Sequence, residues 1–201
     1  MLVVGLTGGI GCGKTAVSDI FEKDFNIPVI DADAIARNLT DTSEVSKRLY
    51  ENLGTKYFDD HSNLLRHKLR EAVFSDSEIR DTLEAILHPL VFKEIGRRLN
   101  HLGDDYCIVV IPLLLETQRT DMIDRVLVVD CTIEQQIQRV TQRDKCSELH
   151  VRAIISAQIK RNERLKLAND IIENQKSLKC LQKKVAILHT FYTTIAKLSE
   201  P

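Results

Sequence analysis

The chain of 201 residues carries 28 Lys and Arg against 29 Asp and Glu, with 43% hydrophobic residues and 5% aromatics. This length suits one buried α/β core with a helical insertion and is short for two independent domains. A formal charge of -1 gives no global reason for a nucleic-acid or anionic-membrane partner, and no apolar run approaches the length that spans a bilayer.

Taken from the start, Val3 to Thr15 reads as a buried strand running through a glycine-rich turn into the first turn of a helix. The spacing is G-x-x-x-x-G-K-[ST], opening at Gly8 and closing on Gly13, Lys14 and Thr15. Gly8, Gly9, Gly11 and Gly13 let backbone N–H groups approach a polyphosphate without a Cβ in the way, and the amides of Cys12 and Ala16 extend that set. The helix N-terminus adds partial positive charge. Lys14 is placed to reach the β- and γ-phosphates, and the Thr15 hydroxyl to ligate the Mg²⁺ that travels with a nucleotide.

The first helix is expected over about Lys14 to Lys23, with Val17, Ile20 and Phe21 on one face, ended by Asn26 and Pro28. Val29 to Asp33 reads as a short strand whose carboxylates, Asp31 and Asp33, stand at or just beyond its end, on the ligand edge of a doubly wound sheet. Ala34 to about Gly103 is mostly amphipathic helix, with breaks near Gly54, Asp59 and Pro89, and is too long for a simple crossover. Tyr106 to Leu115 and Arg125 to Cys131 read as buried parallel strands. Ile133, Ile137 and Val140 mark one face of a helix that also carries Arg139 and Arg143. Asp144 to His150 is turn-like, Val151 to Leu167 a basic helix, Asp170 to Asn174 a last strand, and Leu178 to Leu198 a closing helix. Strands separated by helices predict a parallel α/β sheet.

The five cysteines, Cys12, Cys107, Cys131, Cys146 and Cys180, are odd in number and lack any C-x-x-C pair. That argues against a disulfide framework or zinc site and fits a reducing cytosol. The opening residues show no targeting pattern, so the expected location is cytoplasmic. Cys12, among loop N–H groups and beside Lys14, is expected to be a reactive thiol.

At this point the chain resembles the dephospho-coenzyme A kinase family. The matching pieces are GLTGGIGCGKT (5 to 15), VIDADAIAR (29 to 37), LHPLV (87 to 91), VVIPLLLE (109 to 116), RVLVVD (125 to 130), QRVTQRD (138 to 144) and ANDIIEN (168 to 174). They span nearly the whole chain in the family's order. The departures are Cys12 and Thr15 where serine is usual, and Asn169 where aspartate or another small polar residue is common; Thr15 keeps the metal-ligating hydroxyl.

The resemblance implies a P-loop kinase fold: a three-layer α/β/α arrangement with a five-stranded parallel sheet, a helical substrate lobe and a small lid. It implies one domain, with a nucleotide-binding core at about 1–38 and 105–201, a lid at about 139–155 and an acceptor lobe at about 39–104. The implied reaction moves the γ-phosphoryl group of ATP, with Mg²⁺, to the ribose 3′-hydroxyl of dephospho-coenzyme A. ATP and dephospho-coenzyme A are then the partners, with no nucleic acid and no membrane, and the chain is a monomer or weak homo-oligomer.

Phosphoryl transfer asks a protein for positioning, charge neutralisation and orientation of the attacking hydroxyl. Asp33, favoured by the resemblance, is the carboxylate that receives the hydroxyl's proton or hydrogen bond, unless it only caps the following helix. Asp31 is left between holding a metal-bound water, contacting substrate and bracing the chain. Arg139, and less so Arg143, are expected to close over the nucleotide, since guanidinium pairs bidentately with phosphate oxygens; the alternative is a solvated helix face. Of Arg152, Lys160, Arg161 and Arg164, most are read as solvated and one as reaching a phosphate. His88 and Arg66 are expected to hold dephospho-coenzyme A, with His88 otherwise a helix-end residue ahead of a proline break. Glu116 closes its strand either near Mg²⁺ or as an ordinary strand-end charge.

The rivals are a nucleoside monophosphate or other small-metabolite kinase, which shares loop, lid and lobe, and a nucleotide-dependent switch without phosphotransfer. A guanine-reading switch calls for N-K-x-D after a late strand, and none occurs.

Overall fold

The computed structural model describes residues 1–117 and 120–198. Its backbone gathers into two compact units, Met1–Asp31 with Leu102–Pro201, and Ala32–His101.

The first unit is built on strands that are apolar on both faces, as a parallel sheet requires. β1 (Leu2–Gly8) leads through the glycine loop into α1 (Lys14–Phe25) and β2 (Val29–Asp31). In the second unit follow α2 (Ala32–Thr40), α3 (Ser43–Leu53), α4 (Arg66–Ser75) and α5 (Ser77–Leu99). The chain re-enters the first unit as β3 (Tyr106–Val110), α6 (Leu114–Thr117) and β4 (Arg125–Asp130). It closes with α7 (Ile133–Asp144), α8 (Glu148–Ala157), α9 (Arg161–Lys166), β5 (Asp170–Glu173) and α10 (Leu178–Leu198).

The five strands pair in the order β2-β3-β1-β4-β5, all parallel, so the expected α/β class and five-stranded parallel sheet are what forms. β1 is central, and the chain crosses from one side of it to the other between β3 and β4. The loop after β1 therefore opens at the switch point of the sheet, where ligands bind in such folds. Alternate residues Val4, Leu6, Tyr106, Ile108, Val110, Leu127, Val129 and Ile172 share one core with Val17, Ile20 and Phe21 of α1 and Leu181, Val185 and Tyr192 of α10. The Tyr192 hydroxyl ends that core on Asp170 Oδ2 at 3.0 Å, and Arg125 donates to both oxygens of the same carboxylate. The second unit has its own core of Val45, Leu49, Tyr57, Phe58, Leu69 and Ile86.

Several sequence boundaries move, each for a local reason. β2 stops at Asp31, and Asp33 lies in the first turn of α2 instead of on the strand. β3 ends at Val110 and not at Leu115: Pro112 has no N–H for a ladder, and Leu114 and Leu115 turn helical. Pro89 does not break its helix. α5 continues through it because Ile86 before it and Val91 and Ile95 after it are all buried, which outweighs the roughly 3 kcal/mol that an interior proline costs. His88 is consequently mid-helix and not at a helix end. Ile133 is on the exposed side of α7, and Gln136 takes the buried position beside Ile137 and Val140. The basic helix Val151 to Leu167 is two helices, α8 and α9, separated at Gln158 to Lys160.

Ile108 is fully buried in the strand between β1 and β2. Ile108→Ala is expected to lower stability by about 2–5 kcal/mol, read as a shift in the urea unfolding midpoint.

Candidate active site

A loop that turns its N–H groups outward to hold an anion turns its carbonyls inward, where each needs a donor. Between β1 and α1 every carbonyl from Gly8 to Gly13 has one. Lys14 Nζ donates to Gly8 O at 2.9 Å and to Gly9 O at 3.3 Å, and Cys12 N also donates to Gly9 O. Gln136 Nε2 donates to Ile10 O at 2.6 Å, Arg139 to Gly11 O at 3.4 Å, Asn174 Nδ2 to Cys12 O at 2.9 Å, and Val17 N to Gly13 O at 3.2 Å.

The glycines are what let the backbone make this shape. Gly11 and Gly13 have φ of 73° and 95°, a region that side chains disfavour. A Cβ at Gly13 would collide with the Asn174 amide, and one at Gly11 would meet Val140 at 2.8 Å. Gly13 is also the N-cap of α1 and makes no side-chain cap, so the first amides of that helix are left to a ligand. Thr15 is exposed in that first turn, with Ala16 behind it.

A second clamp sits at the separation of α8 and α9. Gln158 Oε1 accepts from Ile10 N at 2.9 Å. Ile159 N donates to Glu116 Oε1 at 3.1 Å, and Ile159 O accepts from Arg164 at 2.9 Å. These side-chain bonds hold residues 158–160 extended, which is why one helix becomes two. Glu116 thus secures this junction. Arg164 is 6% exposed, and a Cβ built on Gly9 would lie 3.0 Å from its Nη1, so a buried cation rests against the loop. Beside it, Asp130 ends β4 at 3% exposure and receives Arg161 through both carboxylate oxygens, Nε at 2.8 Å. That bond raises the Arg161 pKa.

Cys12, expected to be a reactive thiol, is buried. It is 1% exposed, its Sγ turned inward to Cys131 Sγ at 3.2 Å. The hydrogen bond from Cys131 brings its pKa down to about 7, with Lys14 assisting and burial opposing.

The structure therefore gathers Gly8, Gly9, Gly11, Cys12, Gly13, Lys14, Thr15, Ala16 and Arg139 in one place. Arg139 braces the loop by bonding Gly11 O and Asn174 O. Arg143 is apart: it pairs with Asp144 at 2.7 Å at the exposed end of α7. Asp31 stands on the ligand edge of the sheet, in register with Val110. Asp33, Arg66 and His88 belong to the second unit. Asp33 is exposed in the first turn of α2, and Arg37 Nε donates to its carbonyl at 3.3 Å. Arg66 donates to Arg37 O at 3.0 Å and to Asp41 at 2.6 Å. With Ala34 and Asn38 these residues line a surface hollow of about 430 Å³. His88 packs edge-on against Phe92, ring centroids 6.5 Å apart.

Sequence reasoning missed Gln136, Gln158, Asn174 and the Asp130–Arg161 pair, and, expecting one of Arg152, Lys160, Arg161 and Arg164 to reach a phosphate, did not single out Arg164. The signals available were a polar residue on the buried stripe of α7 and polar residues at the ends of β4 and β5.

Among known proteins, the family model for dephospho-CoA kinase matches residues 2–179. A dephospho-CoA kinase of Nitrosospira multiformis is 44% identical over 199 residues, covering 98% of this chain and 99% of the relative. A crystal structure from Thermus thermophilus superposes with a TM-score of 0.81 at 30% identity, covering 94% of this chain and 96% of that one. A dephospho-CoA kinase from Campylobacter jejuni does so with a TM-score of 0.70 at 26% identity, covering 96% and 97%.

Asn174→Ala removes the donor to Cys12 O while leaving Lys14 and the glycines in place. It is expected to raise the KM for nucleotide about fivefold, the equivalent of about 1 kcal/mol, with kcat within threefold by steady-state kinetics.

Proposed function

The chain belongs to the dephospho-CoA kinase family and is an ATP-dependent phosphotransferase, and from that premise we propose how its own residues carry the γ-phosphoryl group of ATP to the ribose 3′-hydroxyl of dephospho-coenzyme A. The observation that carries this reading is the cradle between β1 and α1, with outward amides, Lys14 and Thr15, in a chain that the family matches along nearly its whole length.

The loop amides and the N-terminus of α1 bind the β- and γ-phosphates, and Lys14 adds a point charge there. Arg164, buried against Gly9, supplies fixed positive charge beside the transferred group, where a guanidinium is favoured as negative charge spreads over its oxygens. Arg139 acts by holding Gly11 and Asn174, and so the loop's shape. Asp33, exposed at the start of α2, accepts the hydrogen bond or proton of the attacking hydroxyl. Arg66 and Arg37 line the hollow of the second unit and are candidates for the acceptor's anionic groups, with His88 and Asp31 as further acceptor contacts.

Among the described residues no group of three His, Cys, Asp or Glu could hold a metal. The residue proposed to hold Mg²⁺ is Thr15, exposed in the first turn of α1, whose hydroxyl would join phosphate oxygens and water as ligands. Bound there, Mg²⁺ would supply charge neutralisation for the phosphates. Five free cysteines support a reducing, cytoplasmic setting, and no helix among the described residues is long and apolar enough to cross a membrane.

A coupled ADP-release assay with Mg·ATP and separate acceptors tests the reading: dephospho-coenzyme A should give turnover, with ³¹P NMR placing the new phosphate on the 3′-oxygen. Turnover confined to a nucleoside monophosphate contradicts it. Asp33→Asn keeps the shape and removes the base; kcat should fall by about 10² or more, with ATP affinity within a few-fold. Near-normal kcat removes Asp33 from the mechanism.

A further inference from the structure

Cys12 and Cys131 lie side by side beneath the phosphate-binding loop, with sulfurs 3.2 Å apart and both side chains buried. Both are free thiols, and phosphoryl transfer uses neither. They differ in how firmly they are held. Cys12 sits between Gly11 and Gly13, the two loop residues of clearly left-handed backbone. Cys131 directly follows β4, a strand hydrogen-bonded to β1 on one side and β5 on the other.

A disulfide needs its sulfurs at about 2.05 Å, so bonding asks for an approach of about 1 Å from the observed separation. The glycine-flanked loop yields more readily than the strand paired on both sides. A loop whose carbonyls are all engaged from Gly8 to Gly13 does not absorb such a shift without losing bonds, beginning with the one from Asn174 to Cys12 O.

We propose that Cys12 and Cys131 form a dithiol modification site that a peroxide oxidises to a disulfide, drawing the loop out of its phosphate-binding shape. Cys12 is the attacking sulfur. Its thiolate takes one peroxide oxygen as the O–O bond breaks, leaving a sulfenic acid on Cys12 and hydroxide, which takes the thiol's proton to become water. The sulfur of Cys131 then attacks that of Cys12, the S–O bond breaks, and the hydroxyl leaves with the Cys131 proton as a second water. The two thiols lose two electrons and two protons, and hydrogen peroxide becomes two waters.

The environment separates this pair from the remaining cysteines. The hydrogen bond from Cys131 lowers the Cys12 pKa, whereas burial pushes that of Cys107 up to about 12. Burial of both sulfurs restricts attack to an oxidant near the size of water, so bulky thiol reagents are expected to reach Cys146 and Cys180 first, which are partly exposed.

The test treats the intact protein with hydrogen peroxide, quenches it, alkylates the remaining thiols after unfolding, and maps the peptides, with a fluorescent ATP analogue titrated in parallel. The expected product is two hydrogens lighter and yields a Cys12–Cys131 linked peptide. Its nucleotide affinity should be weaker by about tenfold, as when one or two loop hydrogen bonds are displaced, and dithiothreitol should restore it. Cys131→Ala should bind nucleotide as the parent does, before and after peroxide. Oxidation of Cys146 or Cys180 while Cys12 and Cys131 remain thiols overturns the proposal, as does a linked protein whose nucleotide affinity is unchanged, or a Cys131→Ala protein as sensitive as the parent. Should that variant not fold, the peptide map and the dithiothreitol reversal of the parent decide alone. The mapped bond and the nucleotide titration require no acceptor, so they stand or fall separately from the assignment of dephospho-coenzyme A.

Discussion

The accounting of six inward carbonyls governs this molecule. To present amides outward at the end of β1, the chain must satisfy Gly8 to Gly13 from within, and the donors come from several separate places: Lys14 and Val17 of α1, Gln136 and Arg139 of α7, Asn174 after β5, and the loop's own Cys12 amide. An unpaired buried carbonyl costs about 1–3 kcal/mol, so these elements are tied to one another through the loop. The sheet order explains why they are available: β1 is central, and β4 and β5 deliver their carboxyl ends to the same edge.

A second consequence is a concentration of charge that the chain's overall balance hides. Lys14, Arg139, Arg161 and Arg164 surround the loop with Asp130 as the buried acid among them, although the chain as a whole carries -1. Asp130 is occupied by Arg161, while Arg164 meets a carbonyl and the glycine edge of the loop. A guanidinium bonded to a neutral carbonyl keeps its full charge for an incoming anion, whereas one bonded to a carboxylate is largely neutralised. That difference is why Arg164, and not Arg161, is the guanidinium we propose for the transferred phosphoryl group.

The elements governed by local pattern were legible in the sequence. The loop spacing, the parallel strands and the stripe of α10 follow from glycine placement, two-faced apolar runs and a 3.6-residue period, and the resemblance to the kinase family was readable from motifs spread along the chain. What was not legible depended on partners distant in sequence. The separation of α8 from α9 comes from Glu116, Ile10 and Arg164 acting on Gln158 and Ile159, and no local breaker marks it. Pro89 shows the opposite case, a local breaker overridden by burial on either side of it. Cys12 was read from its chain neighbours, the loop amides and Lys14, while its side chain belongs to the core and meets Cys131, 119 residues later.

The central claim is that the outward amides of this loop are the nucleotide site. Amide hydrogen exchange across residues 8–17, measured with and without Mg·ATP, tests it most directly. Nucleotide should slow exchange at the amides of Gly9, Gly11 and Gly13 to Ala16, the Ile10 and Cys12 amides being already bonded to Gln158 and Gly9, with smaller protection at residues 158–160, which hold the loop through Ile10. Unchanged exchange at Gly9, Gly11 and Gly13 to Ala16 at saturating nucleotide would contradict the account.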